Sequence, residues 1–134
     1  MAKTYSVFIS HSWEHVNDLK NLRKLLEDRG YFHVEFEEAS PEEPINSENS
    51  AYIRRRLKEK ISNSDIVLGI AGMYASYSDW MRWELDTAIA EDVPIVGVIP
   101  WGQERISAVV SSRAKECVRW NTESIVEAIR KWAK

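Results

Sequence analysis

Two rhythms of hydrophobic and polar positions alternate along this chain, and the switches between them mark its elements. Tyr5 to Ser10 is short, β-branched and aromatic, and nearly continuous in its apolar character, as in a strand covered on both faces. His11-Ser12-Trp13 interrupts it, with Ser12 placed to cap the helix that follows. From Trp13 to Arg29 the spacing becomes helical, through Val16, Leu19, Leu22, Leu25 and Leu26, and Gly30 is a natural stop. Tyr31 to Phe36 returns to alternation: Phe32, Val34 and Phe36 against His33 and Glu35, the pattern of a strand near a sheet edge. Glu37 to Asn49 then holds two prolines, several acids, Ser and Asn with no apolar period, and reads as a long acidic loop.

The second half repeats the scheme. Ser50 opens a helix carrying Ile53, Leu57 and Ile61, ending around Asn63. Ile66 to Ala71 is the most apolar strand and the natural centre of a sheet; Gly72 to Tyr77 is a loop. Ser78 caps a helix running to about Asp92 with Leu85, Ala88 and Ile89 on its buried side. Pro94 to Ile99 is a fourth strand, closed by Pro100-Trp101-Gly102. Gln103 to Lys115 reads as a loop with a short helix, Glu116 to Trp120 as a fifth strand, and Asn121 or Thr122 caps a last helix with Ile125, Val126, Ile129 and Trp132.

Five strands alternating with helices predict an α/β fold: a flavodoxin-like, five-stranded parallel sheet of order 2-1-3-4-5 with helices on both faces. No linker or repeat divides residues 1–134, so one domain is expected. In such sheets ligands bind beyond the carboxyl ends of the strands, where strand order reverses. That point lies between the first and third strands. Its mouth is formed by Ser10, His11 and Ser12 up to Trp13, and by Gly72 through Tyr77 to Trp80. The helix opened by Ser78 faces the crevice with its first two turns. Trp80 and Glu84, four residues apart, then share one helix face, a flat ring beside a carboxylate. Trp83 points elsewhere and packs; Trp101 and Trp120 are expected to pack as well.

Composition narrows the classes of function. The net charge of −3 offers no broad basic surface, so nucleic acid is not an expected partner. Arg54-Arg55-Arg56 is read as a solvated helix face. The single cysteine, Cys117, excludes an internal disulfide and reads as a buried structural thiol in a cytoplasmic protein. No apolar run approaches the roughly 20 residues of a membrane span, and no signal segment precedes the first strand. His11 and His15 are four apart, but no third ligand completes a metal set, so no metal is expected.

The opening Tyr5-Ser6-Val7-Phe8-Ile9-Ser10-His11, the helix after it and Ser78-x-Trp80-x-x-x-Glu84-Leu85 together resemble a TIR (Toll/interleukin-1 receptor) domain. The Pro100-Trp101-Gly102 turn and the compact length resemble the prokaryotic TIR-like proteins of Thoeris anti-phage defence. The resemblance implies an enzyme that cleaves the nicotinamide–ribose bond of NAD+. Glu84 would be catalytic, Trp80 would line the pocket, and NAD+ would be a substrate with no cofactor required. It implies self-association through the domain's surfaces, and a cyclic ADP-ribose-type signal that reaches a separate effector protein. The loop from Glu37 to Asn49 resembles the family's BB loop but has no glycine, so none of its residues is assigned.

One carboxylate suffices for such chemistry. Nicotinamide leaves as a neutral molecule, and what must be stabilised is an oxocarbenium-like ribose. Capture by water gives ADP-ribose and capture within the same nucleotide gives a cyclic product; the residues do not choose between them. A phosphoacceptor domain of this architecture would need acids at the ends of the first and third strands, which read Ser10-His11 and Ala71-Gly72. A flavodoxin would need a richer phosphate loop than Ser10-His11-Ser12. The remaining rival is a non-catalytic TIR assembly module using exposed Ile45, Tyr74 and Tyr77.

Overall fold

Strand propensity and helical period resolve into ten elements in strict alternation. They are β1 (Tyr5–Ser10), α1 (Val16–Arg29), β2 (Phe32–Phe36), α2 (Ser50–Ser62), β3 (Ile66–Ile70), α3 (Asp79–Ala90), β4 (Ile95–Ile99), α4 (Ala108–Ser111), β5 (Glu116–Arg119) and α5 (Thr122–Trp132). The structure is a computed structural model, and it describes residues 4–11, 16–36, 50–72, 79–102 and 106–134. The loop 37–49, Ser12, Trp13, His15, Tyr74, Tyr77 and the capping Ser78 lie outside the described residues.

All strand pairs are parallel and the order is β2-β1-β3-β4-β5. Burial follows that order. Every residue of β3 and β4 is buried, as the continuous apolar runs require of strands covered on both faces. β2 alternates, with Phe32 and Val34 buried and His33 exposed, and β5 at the other edge is only half-buried. The pleat sends alternate residues to opposite layers. Val7, Ile9, Phe32, Val34, Leu68 and Val96 pack with Leu19, Leu22 and Leu26 of α1 and with α5. Phe8, Val67 and Ile95 pack with Leu57 and Ile61 of α2, with Met81, Leu85 and Ala88 of α3, and with Val110 of α4. Ser10 lies two residues beyond Phe8 and so shares the layer of α2, α3 and α4.

Two close approaches fix that layer. A Cβ at Gly97 would sit 2.5 Å from Cys117 Sγ and 2.9 Å from Val110 Cγ1, so only glycine lets β5 and α4 close over β4 there. The helix ends follow from local chemistry. Gly30, at φ 87°, ends α1 with its N–H on the Leu26 carbonyl. Asn121 caps α5 by accepting the Ser124 N–H at 3.0 Å.

Three expected burials are corrected. Ile89 is 52% exposed. Met81, Leu85 and Ala88 define the buried stripe of α3, and at 3.6 residues per turn Ile89 has rotated about 80° from Met81. The helix also ends at Ala90 rather than Asp92, where Asp92 takes a positive φ of 58°. Trp101, expected to pack, is 85% exposed, because the turn at Pro100-Trp101-Gly102 carries its ring off the end of β4. Cys117 is half-buried rather than buried, being on the edge strand. Among the described residues no helix is long and apolar enough to cross a membrane.

Candidate active site

A carboxylate is costly to bury, and this chain buries one where strand order reverses. Glu84, on the second turn of α3, is 2% exposed. Its angular position lies on the flank of the helix opposite Ile89, beside the Met81–Leu85–Ala88 stripe that packs on the sheet. That flank meets the carboxyl end of β1. The Ser10 hydroxyl, fully buried, donates to Glu84 Oε1 at 2.7 Å across 74 residues of sequence. That length is ordinary for a hydroxyl donating to oxygen, and the bond both satisfies a buried polar group and orients the carboxyl.

Other polar groups gather at the same end. Five polar or charged residues are buried among the described residues: Ser10, His11, Ser64, Glu84 and Ser107. Ser64 caps the far end of α2, its hydroxyl donating to the Lys60 carbonyl. The other four belong to segments at or next to the carboxyl ends of β1, β3 and β4, or to α3. Ser107 is tied there through its N–H to the Ala71 carbonyl at 3.4 Å, which brings the chain leaving β4 back over β3. Gly72, buried, follows Ala71 directly. Ser10, His11 and Gly72 thus lie at or just past the carboxyl ends of β1 and β3, with Glu84 of α3 joined to Ser10. Ser12 and Tyr77 lie outside the described residues. Ser107 was not legible in the sequence, where its segment has no strong period; only the strand-to-loop pairing reveals it.

Trp80 is half-buried. It packs against the Phe8–Val67–Met81 core and meets Trp83 edge-on, with ring centroids 6.1 Å apart and planes at 82°. Trp83, expected to pack, does so against the same core and braces Trp80, as residues three apart on a helix can. Trp80 stands one turn before Glu84 on α3, with part of its surface engaged by protein.

A cleft between β2 and α2, lined by Ser6, His33, Glu35, Arg56, Lys60 and Ser64 among others, opens toward the amino end of β1. Its charges are largely engaged with one another: Glu35 meets His33 at 3.0 Å and Lys60 at 3.5 Å, and Lys60 donates to the Phe36 carbonyl at 3.2 Å. It fastens the edge strand to α2 at a distance from the buried carboxylate. Among the described residues no group of three or more His, Cys, Asp or Glu converges as a metal site.

The profile of the TIR-like domain of the Thoeris protein ThsB matches residues 8–105. No curated protein matches the sequence. Several solved structures share the fold. One is a 2-deoxyribosyltransferase from the psychrotolerant bacterium Bacillus psychrosaccharolyticus, 20% identical, with 90% of this chain and 89% of that one covered at a TM-score of 0.68. A conserved protein from Enterococcus faecalis V583 is 12% identical, covering 97% and 99% at 0.62. The CMP N-glycosidase BcmB of Clostridium botulinum is 12% identical, covering 93% and 98% at 0.59. At these identities the likeness is one of fold.

Proposed function

The chain belongs to the Thoeris ThsB TIR-like domain family, and from that membership and the buried Ser10–Glu84 pair we propose that it cleaves the nicotinamide–ribose bond of NAD+. The observation that carries this reading is Glu84 itself. A carboxyl group 2% exposed, oriented by a buried hydroxyl at 2.7 Å and set where strand order reverses, is what a preorganised negative charge requires. Fold relatives described as a deoxyribosyltransferase and an N-glycosidase indicate that this architecture is compatible with N-glycosyl chemistry.

In the proposed step the C–N bond to the pyridinium breaks and its electron pair goes to the ring nitrogen, so nicotinamide leaves neutral without an acid. Glu84 stabilises the positive charge that develops on the ribose ring and accepts hydrogen bonds from ribose hydroxyls. Ser10 fixes the rotamer of Glu84, so that little reorganisation is needed as the charge appears. Trp80 walls the nicotinamide side. The ribosyl cation is then captured by a nucleophile of the same nucleotide, which loses a proton and closes a cyclic ADP-ribose-type product. The burial of Glu84 favours this route over water, because a dry site slows hydrolysis of a reactive intermediate. The product would act as a diffusible signal on a separate effector protein, and association of TIR surfaces would govern activity.

The test is incubation of the purified chain with NAD+ and mass spectrometry of the products, wild type against Glu84→Gln. The expected result is loss of NAD+ with release of nicotinamide and a cyclic nucleotide, absent in the variant. Full turnover by Glu84→Gln removes the site assignment. No consumption of NAD+ by wild type, alone or under crowding that drives assembly, leaves the non-catalytic assembly module as the better reading.

A further inference from the structure

Trp101 is the described aromatic residue that least resembles a packing residue. Tryptophan is on average highly buried, yet this side chain is 85% exposed. Its place is specific. Pro100-Trp101-Gly102 leaves β4 at its carboxyl end, with Gly102 at φ 78°, and the same loop returns to β3 through the Ser107 N–H on the Ala71 carbonyl. Trp101 therefore stands at the carboxyl end of the sheet, the end at which Ser10 meets Glu84. Ile106, also exposed, is on the same loop.

A cation accompanies it. Arg119 ends β5 in register with Ile99, two residues before Trp101. Cys117 places its Sγ against Gly97 on the α3–α4 face, and the pleat returns Arg119, two residues on, to that face. This is the face from which Ser10 meets Glu84. Arg119 is exposed and makes no ion pair among the described residues. From β1 to β5 the order crosses three strand spacings, roughly 14 Å. That is the reach of two nucleotides joined through phosphates rather than of one nucleoside.

Resting on the reading of Glu84 as the centre of nicotinamide cleavage, we propose that Trp101 and Arg119 form the distal half of the binding surface, Trp101 stacking on the second base of the dinucleotide and Arg119 holding a phosphate. The two groups supply what the Glu84 end lacks. Trp80 is partly engaged by Trp83, and the buried centre offers a carboxylate that repels phosphate. An open indole face suits any planar base, and a guanidinium fork suits phosphate oxygens.

The test separates this proposal from the cleavage reading. ADP, which contains the distal base and phosphates but no nicotinamide, is titrated by calorimetry into wild type, Trp101→Ala, Trp101→Phe, Arg119→Gln and Glu84→Gln. Trp101→Ala is expected to weaken ADP binding about 5- to 100-fold, the range of one base stack, with Trp101→Phe near wild type. Arg119→Gln is expected to weaken it about tenfold and to flatten its salt dependence. Glu84→Gln, which removes a charge that repels phosphate, is expected to leave it unchanged or tighter and not weaker. With turnover, Trp101→Ala lowers kcat/KM for NAD+ and leaves that for nicotinamide mononucleotide unchanged. Equal losses on both substrates, ADP binding indifferent to Trp101, or no ADP binding at all overturns the proposal. So does a change in sedimentation of Trp101→Ala without nucleotide, which assigns the ring to contacts between copies of the chain. If wild type cleaves neither substrate the cleavage reading fails, and ADP titration still decides this one.

Discussion

Replacing Glu84 by glutamine separates a residue kept for chemistry from one kept for stability. The substitution removes the charge and retains the shape and one acceptor oxygen. The bond from Ser10, 2.7 Å long and fully buried, weakens from a charge-assisted to a neutral one, a loss of about 1 kcal/mol. The new amide N–H2 is a buried donor, costing about 1–3 kcal/mol if it finds no acceptor. For the ionised group that the proposed chemistry requires, the relief of burying a charge at 2% exposure stands against these, several kcal/mol in effective terms. The expected sum lies between zero and a few kcal/mol of stabilisation, which for a chain of this length raises Tm by roughly 3–4 °C per kcal/mol. Ser10→Ala acts oppositely: it leaves the carboxylate buried with one donor fewer and is expected to cost about 1.5–3 kcal/mol. Chemical denaturation of the two single variants and the double variant, with NAD+ turnover on each, checks the cycle. A Glu84→Gln protein that loses more than about 2 kcal/mol, beside a neutral Ser10→Ala, would refute the argument, since it makes Glu84 a structural ion.

Other substitutions test the packing around this centre. Gly97→Ala forces a methyl to within 2.5 Å of Cys117 Sγ and 2.9 Å of Val110 Cγ1, with an expected cost of about 1–3 kcal/mol in denaturant midpoint. Cys117→Ala in the same chain is expected to recover part of that, because it removes the closer atom. Asn121→Ala removes the cap on the Ser124 N–H and is expected to cost about 1 kcal/mol by urea unfolding. Burial pushes the Cys117 thiol above its ordinary range, assisted by the nearby Glu116 charge and opposed by a hydrogen bond from the Gly97 backbone. The folded chain thus holds this proton more tightly than the unfolded one. Its contribution is intact below the unfolded value, about 8.5, and is lost as pH climbs through the raised folded value. Alkaline unfolding curves of wild type and Cys117→Ala should therefore converge below pH 8 and separate above it; curves parallel throughout remove this source of alkaline sensitivity.

Much of the architecture was written in the periodicity. Continuous apolar runs at Ile66–Ile70 and Ile95–Ile99 can be satisfied only by strands covered on both faces, and the alternation at Phe32 and Val34 only by an edge. Strict alternation of strand and helix left few sheet orders, and the observed one is among them. Ser10 and Glu84 were legible as neighbours too, since the expected strand order puts the carboxyl end of β1 beside the start of α3, where they hydrogen-bond. The exposure of Trp101 was not legible in the sequence, because exposure depends on what lies opposite a ring. Trp101 and Trp120 each end or follow a strand, yet Trp120 packs on the α5 side of the core and Trp101 stands in solvent.

Sequence alone determined the alternating elements, the layers and a short list of strand orders, since each follows from local spacing and chirality. Tertiary structure alone decided that a serine and a glutamate 74 residues apart share a hydrogen bond, and that Glu84 is buried rather than solvated. It also brought Ser107 back to Ala71 and set Trp101 and Arg119 on one rim. Those pairings join segments with no local relation. They are fixed by the register of parallel strands and by the angle at which α3 crosses them, and neither quantity is encoded in any single window of the chain.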